Sequence, residues 1–304
     1  MYTTLLLSLS LLSGVAGNLF SKWKSNRLRS NTPLRYVLYL FLNGVVGALF
    51  FFLSGGGAMK TDAMCLLFSA LCGLFVAGGL VCGVMLLHLA SVVGVHVLLS
   101  ACSMVASGLL GAMLFHEVVD GWRILRMVLM VLAALLVVLE GGGVSVKRSE
   151  KGSRKGGALL LVLLLILSTC SSVGYSLSMQ YYLRTVEGAD PDSLFCFTNV
   201  FLAIGTILLF AVLSPVRRSE VKDSMAMFRP RMLLLIAAST LLSNVSSLLQ
   251  AYLVEVMDAA VLSPVTSAIS VLCAFVASLI LKERIGKYSY GAALLSLLTV
   301  LLPG

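Results

Sequence analysis

The chain is 304 residues long, 59% hydrophobic and only 12% charged, with a formal net charge of +9. Soluble domains hold about 25% charged residues, so this composition excludes a water-soluble catalytic or nucleic-acid-binding domain and points to a chain embedded in lipid. The positive charge then needs an explanation other than nucleic acid.

Crossing about 30 Å of hydrocarbon takes about 20 apolar helical residues, and ten runs meet or approach that length. The first spans roughly residues 2–20 and holds Asn18; no positive residue precedes it, so it reads as a span and not as a cleaved signal peptide. The second, 34–53, follows Pro33 and holds Asn43. The third, 64–87, carries Gly79 and Gly83, a spacing that predicts close helix packing. The fourth, 91–115, places His96 ahead of a stripe of Ser100, Ser103, Ser107 and Gly111, and a charged elbow, His116-Glu117, leads to the fifth, 123–140. A basic stretch precedes the sixth, 158–183, which holds Ser171, Ser172, Tyr175 and Gln180; the seventh, 193–213, holds Asn199. The eighth, 232–254, holds Ser243, Asn244, Ser246, Ser247, Gln250 and Tyr252. The ninth, 259–281, carries Ser263, Pro264, Ser267, Ser270, Ala274 and Ser278, and the tenth covers 287–302. Pro264 is the one proline well inside a span; it leaves the carbonyl of Ala260 without its helical donor and predicts a kink.

Eighteen of the 22 Lys and Arg residues fall in the first, fifth, seventh and ninth loops. Cytoplasmic loops collect Lys and Arg, so these loops are expected to face the cytoplasm, with both termini outside the cell. The same clusters are also compatible with binding acidic lipid or a partner. The seven cysteines lie in or beside apolar runs without CxxC spacing and read as packing residues, so neither a disulfide framework nor a metal or other cofactor is expected.

Residues His88–Leu139 run without a gap beside the stretch starting at Val254, at a constant offset of 166, so that His116-Glu117 matches Lys282-Glu283. A weaker match joins SGVAGNLFSK from Ser13 to SSVGYSLSMQ from Ser171, and Pro33 corresponds to Pro191. The expected organisation is therefore a first repeat at 1–145, a basic linker at 146–157 and a second repeat at 158–304. Five spans per copy is an odd number, so the second copy enters the membrane from the opposite side. The fold class is an all-α membrane protein of ten transmembrane helices in a 5+5 inverted repeat.

Gly14, Asn18, Phe20 and Lys22 in the first helix, the Ser263-Pro264 pair, the elbow Leu281-Lys282-Glu283-Arg284 and the final helix rich in small residues together resemble the ten-helix, EamA-type branch of the drug/metabolite transporter superfamily. The resemblance covers essentially the whole chain and departs at His116, where a small or basic residue is usual. It implies a central cavity walled by both halves, peripheral fifth and tenth helices, and alternating access.

Polar side chains at membrane depth must face a cavity or one another, because an unpartnered amide in hydrocarbon costs several kcal/mol. Asn18, Asn43, His96, Tyr175, Asn199, Asn244, Gln250 and Ser263 are accordingly the candidate substrate-binding residues. No Asp or Glu lies in the middle of a span. Proton-coupled exporters of the related small multidrug resistance type need such a carboxylate. The chain also lacks HExxH, GxSxG, a P-loop and paired membrane aspartates, so no enzyme is expected. The expectation is a secondary-active or facilitative carrier in the inner or plasma membrane that exports a small neutral or zwitterionic metabolite such as an amino acid. Its partners would be that solute and the lipid bilayer, with the protein a monomer or homodimer. The alternatives are a flippase for a lipid-linked carrier and a proton-coupled multidrug exporter.

Overall fold

A computed structural model describes residues 2–27, 33–89, 92–115, 120–139, 154–256, 259–282 and 286–302. The long helices are α1 (Tyr2–Arg27), α2 (Pro33–Ser54), α3 (Ala63–Leu89), α4 (Val92–Phe115), α5 (Gly121–Leu139), α6 (Arg154–Thr185), α7 (Pro191–Leu213), α9 (Pro230–Val256), α10 (Ala259–Ile280) and α11 (Lys287–Leu301). Between α7 and α9 lie a short helix, α8 (Arg218–Ser224), and a 3-10 turn (Met225–Phe228). No strand occurs among the described residues. Seven helices, α2 to α7 and α9, are long and apolar enough to cross a membrane within the described residues. Their outward faces are studded with Leu, Val, Ile and Phe, Leu53 being 75% exposed and Leu74 69%. Such surface is tolerated against acyl chains and not against water.

Sequence signals fix the helix ends. Pro191 starts α7 where its missing N–H costs nothing, and the Asp190 side chain accepts from the Ser193 N–H at 3.0 Å. Asp62 and Asp120 do the same for α3 and α5, accepting from the Cys65 and Arg123 N–H groups at 2.5 and 2.8 Å. At the second elbow Lys282 takes a left-handed φ of 53°, which stops α10 sharply. The first elbow, His116-Glu117, lies outside the described residues.

Three details depart from expectation. Arg154 and Lys155, assigned to the basic linker, belong to α6. Residues 218–228 are helical where a loop was expected. Arg123 and Arg126, at the start of the fifth apolar run, turn inward: both are buried in the first turns of α5, where Arg123 donates to the Gly108 carbonyl at 3.2 Å and Arg126 to the Leu302 carbonyl at 2.9 Å. A guanidinium can lie within an apolar helix when it reaches carbonyl oxygens of neighbouring elements, as Arg126 does at the unpaired end of α11.

The principal helix pairs are α2 with α7, α3 with α6, α1 with α9, α4 with α10 and α5 with α11, joined by secondary contacts of α3 with α7, α2 with α9, α1 with α10, α4 with α6, α4 with α5 and α10 with α11. Two packed groups result. One shares apolar clusters drawn from α2, α3, α6, α7 and α9, around Phe51, Tyr182, Phe195, Tyr39 and Ile236. The other joins α4, α5, α10 and α11 around Val97, Ala133, Val271 and Ala292. At one end, the loop between α2 and α3 interlocks with the loop between α6 and α7. Lys60 Nζ donates to the Gly188 carbonyl at 2.6 Å, the Lys60 N–H to Ser193 Oγ at 2.8 Å, and Ser54 Oγ to the Asp192 carboxylate at 2.5 Å.

Candidate functional site: a two-lobed serine-lined cavity

The cavity lies where the two packed groups meet. Its larger lobe, about 390 Å³, is bounded by α3, α4, α6, α9 and α10, with Ser100, Ser103 and Ser107 on α4, Ser168, Ser172 and Ser176 on α6, and Ser267 and Ser270 on α10. Each set recurs at three- or four-residue spacing, which puts its hydroxyls on one helix face. The smaller lobe, about 170 Å³, is bounded by α1, α9 and α10 and holds Ser13, Asn18, Ser21, Ser243 and Ser246. Gln250, Thr266 and Ser270 line both lobes and mark their junction.

Across the larger lobe, His96 Nδ1 lies 3.1 Å from Ser270 Oγ, which links α4 to α10. The Tyr175 side chain hydrogen-bonds Ser247, tying α6 to α9. No Asp, Glu, Lys or Arg lines either lobe among the described residues. The wall therefore offers many small hydrogen-bonding groups, an imidazole, a phenol and two carboxamides, and it offers no fixed charge to a solute. No group of three or more His, Cys, Asp or Glu residues suited to a metal occurs among the described residues.

Of the eight candidate residues, the structure brings four to the cavity: Asn18 in the smaller lobe, His96 and Tyr175 in the larger, and Gln250 in both. Asn43 and Asn199 lie instead in helix seams. Each is buried and donates its Nδ2 to its own helix one turn back, to Tyr39 and Phe195 respectively, both at 2.8 Å. The Asn43 Oδ1 also accepts from Thr240 Oγ1 at 2.5 Å. Asn244 is 8% exposed, lines neither lobe, and its Nδ2 has no hydrogen-bond partner. Ser263 lies in α10, with its side chain outside the described residues, as does that of Pro264.

Two sequence readings change. Gly79 and Gly83 were expected to pack helices closely; both line the larger lobe, but a methyl group at Gly79 would touch Ser171 of α6 at 3.7 Å, whereas one at Gly83 would meet nothing within 4 Å. Their small size leaves room in the cavity. The close approaches fall elsewhere, at Gly44 and Gly47 of α2 against Asn199 and Ala203 of α7, and at Gly174 against Phe75. Ser171, grouped with Ser172 on the sequence, packs onto Gly78 instead of facing the lobe. Thr266, Ser168 and Ser176 also line the cavity, and the four-residue spacing of Ser168, Ser172 and Ser176 puts them on one face of α6.

Residues 159–303 match the EamA-like transporter family. The chain carries an EamA-like transporter domain. This domain extends over nearly all of α6 and on through α11, so it supplies the α6, α9 and α10 walls of the cavity, including Tyr175, Gln250, Thr266 and Ser270. With its many apolar helices the chain is a multi-pass membrane protein, and the EamA-like domain is consistent with the drug/metabolite transporter superfamily. No curated protein matches the chain.

Proposed function

We propose that this protein is a secondary-active or facilitative carrier that exports a small neutral or zwitterionic metabolite, such as an amino acid, across the inner or plasma membrane by alternating access. The observation that carries the proposal is the two-lobed, hydroxyl-rich cavity without fixed charge. Polar groups at membrane depth that face open space mark a solute path, and binding near the middle of a bundle between two repeats is the design of secondary transporters.

The reading includes ten spans in a 5+5 inverted repeat, and the helix pairing supports it. If α1 to α5 correspond to α6, α7, α9, α10 and α11, exchanging the halves leaves the α2–α7, α4–α10 and α5–α11 pairs in place. The same exchange turns α3–α6 into α9–α1, α3–α7 into α9–α2, α1–α10 into α6–α4, and α4–α5 into α10–α11, all of which occur. The cavity walls, α1, α3 and α4 with α6, α9 and α10, are three such corresponding pairs. α5 and α11 line neither lobe, as a peripheral position requires.

An orientation with the α2–α3 and α6–α7 loops outside the cell is supported by the basic residues of the α7–α9 segment, Arg217, Arg218, Lys222, Arg229 and Arg231, against Lys60 alone in those two loops. It places both termini outside.

The test is a thermal-shift screen of amino acids, nucleosides and sugars on detergent-purified protein, followed by counterflow of the best solute in proteoliposomes. Asn18→Ala, Tyr175→Ala and Gln250→Ala are expected to reduce the shift, while Asn244→Ala, outside both lobes, keeps it. Counterflow that none of the three cavity substitutions alters would refute the site. A rate that follows an imposed pH gradient would favour the proton-coupled alternative.

A further inference from the structure

The segment between α7 and α9 is not a slack connection. Ser224 is fully buried and Met227 is 3% exposed, the latter in the same cluster as Tyr39, Leu202 and Ile236, so α8 and its 3-10 turn are fastened to α2, α7 and α9. Both flanking helices are candidate membrane spans, α7 ending at Leu213 and α9 starting at Pro230. The segment therefore sits where acyl chains give way to headgroups.

Its outward side combines two kinds of group. Val216 is 81% exposed, Met225 47% and Phe228 42%. Interleaved with them, Arg217, Arg218, Lys222, Arg229 and Arg231 are all exposed. Arg217 is engaged by Glu220 at 2.7 Å, which leaves Arg218 and Lys222, one turn apart on α8, and Arg229 and Arg231, either side of Pro230, directed to the surroundings. Water alone gives no reason to display a valine, a methionine and a phenylalanine among five cations. An interface does: apolar side chains enter the acyl boundary while Lys and Arg meet phosphate oxygens just above it, and guanidinium groups fit phosphate in a bidentate manner. The opposite end of the bundle has the reverse character, with Asp62, Glu187, Asp190 and Asp192 against Lys60 and Arg184 in its two interlocked loops.

We propose that α8 and the turn after it form a docking surface for anionic phospholipid headgroups, with Val216, Met225 and Phe228 in the acyl boundary and Arg218, Lys222, Arg229 and Arg231 on the phosphates. Through Met227 this surface is coupled to α2, so an occupied surface steadies the α2 end of the bundle. The proposal is independent of which solute the cavity carries and of whether it carries one.

The test uses detergent-purified full-length protein and its thermal unfolding in mixed micelles containing either phosphatidylglycerol or phosphatidylcholine. The wild type is expected to gain more thermal stability from phosphatidylglycerol, and the excess is expected to shrink in about 0.5 M salt, where screening acts over only a few ångströms. In the R218Q/K222Q/R229Q/R231Q variant the excess falls below about half its wild-type size, in line with the additive attraction of basic residues to an anionic surface. The K60Q/R184Q variant at the other end keeps it. Should the quadruple variant not fold, R229Q/R231Q is compared with wild type by native mass spectrometry, with loss of retained phosphatidylglycerol expected. Equal stabilisation by the two lipids, an excess undiminished in the basic-residue variants, or the same gain from glycerol 3-phosphate alone would overturn the proposal.

Discussion

A methyl group added at Gly44 would lie 2.7 Å from the Asn199 carbonyl oxygen and 2.8 Å from the Ala203 nitrogen, both backbone atoms that cannot swing aside. Gly44→Ala is therefore expected to destabilise the protein by about 1–3 kcal/mol, the usual cost of overpacking, measured as a lower unfolding temperature in detergent. Gly83→Ala meets open space and should leave that temperature unchanged while lowering transport, because it narrows the larger lobe. Gln250 reaches both lobes, so Gln250→Ala is expected to weaken solute binding about tenfold, or about 1.4 kcal/mol, with little effect on unfolding. Single residues also show where sequence reasoning stops. Any buried amide needs partners, which made Asn18, Asn43, Asn199 and Gln250 equal candidates. Asn43 and Asn199 find theirs on their own helices one turn back, and nothing in the order of residues separates that solution from a place on a cavity wall. A run of small side chains is equally ambiguous between packing and lining: Gly83 faces open space, while Gly79 both lines the lobe and neighbours Ser171.

Among the elements, the long helices were legible because lipid demands long apolar runs and the ends carry Pro, Asp or charged residues. α8 was not, since seven residues with four charges give no apolar period; in the structure Ser224 is buried at its end and Met227 of the following turn packs onto the bundle. The buried arginines of α5 escaped for a related reason: their partners are carbonyls on α4 and at the end of α11, distant in sequence. Arg126→Ala removes a charged donor from the Leu302 carbonyl, and hydrogen bonds to charged groups contribute about 1.5–3 kcal/mol. The expected result is a lower unfolding temperature together with faster hydrogen exchange in the last turns of α11.

For the whole molecule, the internal repeat in the sequence does not say which helices meet, because pairing depends on shape complementarity between distant segments. A cavity wall without fixed charge has a direct electrical corollary. Moving a neutral or zwitterionic solute carries no net charge across the bilayer, so exchange measured in proteoliposomes is expected to proceed at the same rate with and without an imposed membrane voltage.

The α2–α7 seam joins backbone to backbone, with Gly44 against Asn199 and Ala203. It has no slack to part, whereas α4 and α10, packed through Val93, Val97 and Val271, also border open volume where His96 Nδ1 meets Ser270 Oγ. In the proposed alternating-access cycle the seam would serve as the fulcrum. Spin labels on α2 and α7 should report one sharp separation under all conditions, and a pair on α4 and α10 should broaden or split when solute is added.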